Sequence, residues 1–283
     1  MLASASLPVA RFPSWHTHPD VWLLLGGLAL LYAWAARATP PSRKQAVTFA
    51  CGVLALLVAS DWPVHDLAEG YLYLVHMVQH LLFSLVAPPL LLLGLPAPML
   101  NRLLGHGRRR ALVRRLTRPV VALVLFNAVM VASHWPVWVD ATLRHHPLHF
   151  AAHAVLLVTG LIMWMPVVSP LEDMPQLHPL AKMLYLFLQS ILPTVPASFL
   201  TFGTTPLYHY YEHVPRLWGL SALTDQQIAG VIMKVIGGLY LWLVIVVVFF
   251  RWYSREEEGG GKIGADPDVL TWEQVERELN QLS

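Results

Sequence analysis

Histidines carry the clearest chemical signal in this 283-residue sequence. His76 and His80 stand four residues apart, as do His149 and His153, and this spacing places both imidazoles of a pair on one face of a helix. Imidazole is the commonest metal ligand in proteins, and such a pair can share one ion. One pair alone is weak evidence, because a buried histidine can equally bond to a neighbouring helix. Two pairs at matched depth, with His134 beside them, favour a metal site.

Methionine sulfur could complete the ligand shell of that site. Met130 lies one helical turn from His134, and Met233 lies at a similar depth in the last apolar segment. Nitrogen with thioether sulfur suits copper, whereas nitrogen with carboxylate suits zinc or iron. Methionine also commonly packs in hydrophobic cores, so a methionine by itself does not indicate a metal ligand. The predicted copper ligands are His76, His80, His149, His153, His134, Met130 and Met233.

Most of the remaining histidines fall on the same predicted side of the membrane. Of the 14 histidines, only His106 and His178 fall in loops on the other side. The ones outside the apolar segments could form a low-affinity capture surface, although exposure without a ligand is the ordinary state of each: His16, His18, His65, His145, His146, His209 and His213. The carboxylates of this side are mostly expected in loops as solvated charges: Asp61, Asp66, Glu69, Asp140, Glu212 and Asp225.

Two charged residues of the last apolar segment are further functional candidates. Lys234 lies deep in that segment, where an unpaired ammonium group is costly. It could pair with a carboxylate, bond the amide of Asn127 or Gln189, be neutral, or extend its amine towards the interface. Asp225 is either a functional acid or the N-cap of the same helix.

The elements that must position these groups are apolar. The chain is 56% hydrophobic and 13% charged, with a mean hydropathy of +0.53, and a soluble domain carries about twice that share of charged residues. This composition excludes a soluble globular enzyme and a disordered chain. The single cysteine, Cys51, excludes an internal disulfide and a CxxC motif, and a net charge of +2 gives no indication of nucleic-acid binding. The lipid bilayer is therefore the expected surroundings of the protein.

Seven segments are long enough to cross a bilayer, which takes about 20 helical residues. In lipid only a helix satisfies its own backbone, so the predicted fold class is an all-α polytopic membrane protein with seven transmembrane helices. Prolines interrupt the third and sixth segments, at Pro88, Pro89, Pro193 and Pro196, and predict kinks there. The predicted spans are 20–37, 45–60, 71–95, 119–138, 148–168, 181–202 and 225–251.

Basic residues predict the orientation of these spans. The loop after the third span carries seven arginines, and few basic residues occur in the loops of the opposite side. The positive-inside rule therefore predicts an outer N-terminus and a cytoplasmic C-terminus. The predicted organisation is an external segment at 1–19, a membrane domain at 20–253 and a cytoplasmic tail with a short amphipathic helix at 254–283.

Three segments of the sequence resemble the CtaG-type cytochrome c oxidase assembly factors, which are seven-helix membrane proteins of bacteria. The first, at 76–96, reads HMVQHLLFSLVAPPLLLLGLP and resembles the central motif of that family. The others read HAVLLVTGLIMWMPVV at 153–168 and LSALTDQQIAGVIMKVIGGLYLW at 220–242. The resemblance extends over about residues 20–253.

The resemblance implies a non-catalytic multi-pass protein of the bacterial plasma (inner) membrane that handles copper for a haem-copper oxidase. Its implied partners are oxidase subunits or other assembly factors. The matched polar residues include His76, Gln79, His80, His153, Asp225, Gln226, Gln227, Met233 and Lys234. The prediction of His134 and His149 as ligands depends mainly on their spacing and not on a family motif.

Three other functions remain open at this point. An intramembrane zinc-dependent hydrolase could use three histidines and a carboxylate to activate water. A haem carrier could use histidines of the third and fifth spans as axial ligands. A scaffold without any ion would use the same histidines as hydrogen-bonding groups between helices.

Overall fold

The computed structural model describes residues 12–260 and is all-helical there, without a strand. Two π-helical turns, Leu82–Val86 and Ile232–Ile236, each join two α-helices of one continuous stretch. The α-helices of the described range are α1 Pro19–Ala36, α2 Arg43–Ser60, α3 Val64–Gly70, α4 Tyr73–Leu81, α5 Ala87–Gly94, α6 Ala97–Leu104, α7 Arg108–Leu116, α8 Pro119–Ser133, α9 Pro136–Arg144, α10 His146–Val168, α11 Pro179–Ile191, α12 Thr194–Phe202, α13 His209–His213, α14 Ala222–Val231 and α15 Gly237–Gly260.

Six helical stretches of the described chain are long and apolar enough to cross a membrane. A seventh is present if α7 and α8, which are bent by 76° at their junction, are counted as one broken span. The predicted all-α architecture of membrane helices is confirmed, while the orientation stays a prediction. The six candidates without a sharp bend are Pro19–Ala36, Arg43–Gly70, Tyr73–Gly94, His146–Val168, Pro179–Phe202 and Ala222–Glu257.

The fourth span is shorter than the sequence predicts. Helix α8 has 15 residues and ends at Ser133, so it is about 22 Å long against a hydrocarbon core of about 30 Å. The prediction of a helix to residue 138 is wrong because Pro136 has no N–H to donate and disfavours helical geometry at Trp135. The chain breaks there and begins α9, which leaves His134 just beyond the end of α8.

The prolines act differently in the third and sixth spans. The sixth span divides at Pro193 into α11 and α12, as a proline inside a helix predicts. In the third span, Pro88 and Pro89 begin α5 directly after a π-helical turn, and Tyr73–Gly94 continues as one candidate span. The wider π turn accommodates the prolines without a break in the helix.

The third span forms the centre of the protein. Tyr73–Gly94 is the most buried of the candidate spans, and Pro19–Ala36 is the least buried. Helices α4 and α5 pack against α2, α10 and α14, so the helix carrying the first histidine pair contacts its neighbours on several sides. Helix α10, which carries the second pair, packs on α5 and on the first π turn.

The ends of the chain extend beyond these elements. Helix α15 continues to Gly260, seven residues past the domain boundary predicted at 253. The amphipathic helix predicted in the tail and most of the predicted external segment lie outside the described residues.

Candidate metal centre

A buried carboxylate fixes the start of the helix that carries the first histidine pair. Asp225, which has no exposed surface, accepts hydrogen bonds from the backbone N–H groups of Tyr73 and Leu74, both at 2.8 Å. The free N–H groups at a helix start need such acceptors. Asp225 therefore caps α4, and the interpretation of Asp225 as the N-cap of its own helix is wrong. Ser221 has that role, because its hydroxyl accepts from the N–H of Thr224.

The two predicted histidine pairs meet in the interior. Nitrogen atoms of His76, His149 and His153 all lie within 4.8 Å of one another. His80 adjoins them, with its ring 4.4 Å from the ring of His76 and 5.6 Å from that of His153. The ring of His134 lies 5.7 Å from that of His80. The structure thus brings all five predicted histidines into one group, here called the inner cluster.

The inner cluster is buried and short of hydrogen-bond partners. Each of its five side chains is at most 8% exposed. A buried polar atom without a partner costs about 1–3 kcal/mol, and most such atoms in folded proteins are satisfied. The inner cluster concentrates several of them in one place: Nδ1 of His76, Nδ1 of His80, Nε2 of His134, both ring nitrogens of His149 and Nε2 of His153.

These atoms fit a transition-metal ion. Imidazole nitrogens bind such ions at about 2.0–2.1 Å, so two ligands of one ion lie no more than roughly 4 Å apart. The nitrogens of His76, His149 and His153, all within 4.8 Å of one another, are close to that distance. The ring of His80 adjoins theirs, 4.4 Å from the ring of His76. An ion held this way would satisfy the nitrogens that the protein leaves without partners.

His134 is already oriented by the backbone. Its Nδ1 lies 2.7 Å from the carbonyl oxygen of Met130, which leaves Nε2 as the free nitrogen of a buried ring. Histidines that bind metals usually use one ring nitrogen for the ion and the other for such a contact. His134 therefore has the arrangement of a prepared ligand at the edge of the inner cluster.

The two predicted methionine ligands line one cavity. Met130 and Met233 border a space of about 30 Å³ whose lining includes none of the five histidines. Both side chains are buried, and they pack within the hydrophobic core. Their role as copper ligands stays a prediction.

Lys234 lines the same cavity as the two methionines. Its side chain is exposed, and it belongs to the second π-helical turn. Asn127 donates to the amide oxygen of Gln189 at 2.6 Å, so these two amides bond to each other. Within residues 12–260 no hydrogen bond or ion pair joins Lys234 to either amide or to a carboxylate. This exposure is consistent with a Lys234 side chain that extends outwards from the helix bundle.

One carboxylate expected in a loop as a solvated charge, that of Glu69, lies beside the inner cluster. Oε1 of Glu69 lies 3.0 Å from Nε2 of His149 and 3.2 Å from Nε2 of His65. Glu69 is part of α3, a short helix that follows Pro63 and directs the carboxylate inwards. The spacing of four residues between His65 and Glu69 could have indicated that the two side chains share a helix face, because the two histidine pairs have the same spacing.

One comparison with known proteins identifies a family. The sequence model described as cytochrome c oxidase caa3 assembly factor matches residues 27–255. An uncharacterised protein of Mycobacterium tuberculosis is 24% identical over 301 residues, which cover 98% of this chain and 45% of that protein. An uncharacterised protein of Mycobacterium leprae is 25% identical over 263 residues, which cover 83% of this chain and 39% of that protein. The chain spans less than half the length of these curated relatives, and no solved structure matches it.

Proposed function

The chain belongs to the cytochrome c oxidase caa3 assembly factor family, and from that membership we propose that it binds copper in the inner cluster and delivers it to the oxidase. The observation that carries the proposal is the group of five buried imidazoles with unpartnered nitrogens, three of which have nitrogens within 4.8 Å of one another. Copper is the metal that a haem-copper oxidase requires, and imidazole is among its preferred ligands. The copper ion is cargo here, and the protein acts as a carrier without catalysis.

The charge distribution supports delivery at the outer face of a bacterial plasma membrane. The inner cluster lies at the end of the bundle opposite the arginine-rich α7, because α8 leads from α7 to His134. The positive-inside rule assigns arginine-rich segments to the cytoplasm. An ion held at the opposite end is placed for transfer to oxidase subunits or other assembly factors on the outer side.

A zinc-dependent hydrolase is the second candidate, because of Glu69. A carboxylate 3.0 Å from a histidine of the cluster could serve as the acid or base that such an enzyme needs. Asp225 is unsuitable for that role, since both of its oxygens accept backbone hydrogen bonds. Bound zinc together with turnover of a lipid or peptide would favour this candidate over copper delivery.

A haem carrier has less support. The cavity at the inner cluster has a volume of about 20 Å³, which is room for about one water molecule and far too little for a porphyrin. A porphyrin would have to separate α4 from α10. The purified protein is therefore expected to show no Soret band.

The test is the copper content of detergent-purified protein from copper-supplemented cells. The double variant His76→Ala/His153→Ala should lose one copper ion per chain compared with the unchanged protein, because it removes two of the three nearest ligands. It should also fail to restore oxidase activity in cells lacking the protein. Elution volume and melting temperature show whether the variant is folded.

A matched control is available in His209. It is exposed and lies 2.8 Å from Glu212, so His209→Ala also removes a histidine beside a carboxylate, but one outside the inner cluster. Its copper content and oxidase activity should equal those of the unchanged protein. Unchanged copper content in the folded double variant contradicts the proposal.

A further inference from the structure

A second group of histidines and carboxylates lies outside the inner cluster. Asp66 faces two imidazoles at once, with Oδ1 3.2 Å from Nε2 of His18 and Oδ2 3.5 Å from Nδ1 of His16. The ring of His65 lies 4.9 Å from that of His18, so a third imidazole adjoins the pair. Nitrogen and carboxylate oxygen together are ligands for divalent ions such as Cu²⁺ and Zn²⁺. His18, His65 and Asp66 are here called the outer group.

Glu69 connects the outer group to the inner cluster. A single oxygen, Oε1, lies 3.2 Å from Nε2 of His65 and 3.0 Å from Nε2 of His149, while the two rings are 6.2 Å apart. Oε1 is buried, and its contacts lack the alignment of a hydrogen bond. Separations of 3.0–3.2 Å are what two ligands of one ion would have at bond lengths near 2.0–2.1 Å. The carboxylate can therefore share an ion with either imidazole in turn.

Exposure falls along the imidazoles of this series. The exposed fraction of the side chain is 63% at His16, 17% at His18, 12% at His65 and 4% at His149, while the carboxylates between them are 16% exposed at Asp66 and 27% at Glu69. The imidazoles therefore lead from the surface to the buried ligands, and Glu69 stays partly accessible between them. An isolated surface ion pair would not continue inwards in this way.

A cavity lies along the same route. It has a volume of about 120 Å³, enough for several water molecules, and its walls include His65, His149 and His153. Asp20 and His146 also line it, which adds a carboxylate and a further imidazole. The cavity gives a hydrated ion room to lose its water beside the ligands that replace it.

We propose that the outer group is a second metal site, which captures a divalent ion, and that Glu69 passes this ion to the inner cluster. The inference rests on the proposed function, since that function supplies the ion and its destination. The ion keeps its charge throughout, and only ligands are exchanged. Glu69 replaces a ligand of the outer group, and His149 then replaces Glu69. At each step the ion keeps one protein ligand, so it is never released into the apolar interior.

The test is Cu²⁺ titration of the metal-free protein in detergent, followed by electron paramagnetic resonance. The unchanged protein should bind two ions with different spectra, one with mixed nitrogen and oxygen ligation and one with nitrogen ligation. The variant His18→Ala/Asp66→Asn should lose only the mixed signal, and His76→Ala/His153→Ala should lose only the nitrogen signal. The spectra distinguish loss of a ligand from general loosening of the fold.

Rapid mixing with Cu²⁺ tests the transfer step. Glu69→Gln keeps the size of the side chain but weakens it as a ligand, so the nitrogen signal should form at least about tenfold more slowly and reach the same final amplitude. His209→Ala is the matched control and should load at the normal rate. If Glu69→Gln loads at the normal rate, transfer through Glu69 is overturned.

The two proposals fail in different ways. A single ion that depends on His76 and His153 but not on His18 or Asp66 would leave the proposed function standing and overturn the outer site. A mixed-ligand signal without any nitrogen signal would overturn the proposed function and the transfer, and would leave only a surface site. Should His18→Ala/Asp66→Asn prove unstable, His18→Gln alone provides the same measurement at the outer group.

Discussion

At the scale of single residues, Asp225 determines where the first histidine pair lies. Its two hydrogen bonds hold the first N–H groups of α4, and His76 follows one turn later. The guanidinium of Arg216 is 3.9 Å from the same carboxylate. Burial lowers the pKa of Arg216, and the negative charge of Asp225 opposes that shift. The buried carboxylate of Asp225, on the last span, thus positions His76 on the third span.

We expect Asp225→Asn to destabilise the protein and to weaken copper binding. An amide cannot accept two charge-assisted hydrogen bonds, and it leaves Arg216 without its nearest negative charge. The loss should be about 2 kcal/mol in the free energy of unfolding, which is measured as a lower melting temperature in detergent. Copper affinity should fall as well, because the start of α4 becomes free to move.

Asp140→Asn is the control for this substitution. Asp140 also accepts a hydrogen bond from a backbone N–H, that of Tyr210, at 3.0 Å, but it does not hold α4. This variant should keep its copper affinity even if its melting temperature falls. Equal copper affinities in the two aspartate variants would mean that Asp225 has no role in positioning the site.

The sequence reveals the histidines but not the residues that hold them. A spacing of four predicts a shared helix face from local geometry alone, and the structure brings these histidines together. The bond from Asp225 to Tyr73 joins residues 152 positions apart, so no local pattern contains it. The position of Glu69 beside His149 was not predicted for a related reason. It depends on the short helix α3, which lies where the sequence predicts a loop.

At the scale of elements, the first π-helical turn provides the contact between the two helices that carry the histidine pairs. The carbonyl of Ser84 would normally bond to an N–H four or five residues later, but these positions are Pro88 and Pro89, which have none. The indole of Trp164 on α10 donates to this carbonyl instead, at 3.2 Å. The prolines therefore free an acceptor that holds α10 against the third span.

Gly160 permits this close approach. A Cβ atom there would lie 2.9 Å from the carbonyl oxygen of Ser84 and 3.0 Å from a ring carbon of Pro88. We expect Gly160→Ala to push α10 away, to lower stability by about 1–3 kcal/mol and to weaken copper binding, since His149 and His153 move with the helix. Melting temperature and copper titration in detergent measure both effects.

Gly238→Ala is the matched control for Gly160→Ala. Gly238 is also helical, but a Cβ there would meet nothing within 4 Å. Alanine at that position should raise stability by up to about 1 kcal/mol, because it restricts the unfolded chain. A loss of stability equal to that of Gly160→Ala would show that the contact with Ser84 has no special importance.

Helices and helix breaks could be predicted where nearby residues in the sequence cause them. Apolar length predicted the membrane helices, and Pro193 predicted the break in the sixth span. Neither π-helical turn was predicted, and the first involves the contact between Ser84 and Trp164, which is a property of packing. The early end of α8 had a local cause in Pro136, although the apolar pattern continues past that residue.

At the scale of the whole molecule, charge is divided between the two ends of the bundle. Helix α7 contains five arginines and no buried residue, and Arg110 forms an ion pair with Asp173 at 2.6 Å. The opposite end carries the outer group and the inner cluster. The positive-inside rule therefore connects the position of the histidines to the side of the membrane on which the proposed delivery of copper would take place.

Cysteine labelling tests this orientation directly. In a Cys51→Ser background, which removes the single native thiol, Ser14→Cys and Ser254→Cys introduce one thiol near each end of the described chain, both at exposed positions. A maleimide that cannot cross membranes should label Ser14→Cys in intact spheroplasts and Ser254→Cys only after permeabilisation. The reverse pattern would place the histidines at the cytoplasmic face, where copper could not be captured from outside. Delivery at the outer face would then be wrong, even though the ligand geometry of the inner cluster would be unchanged.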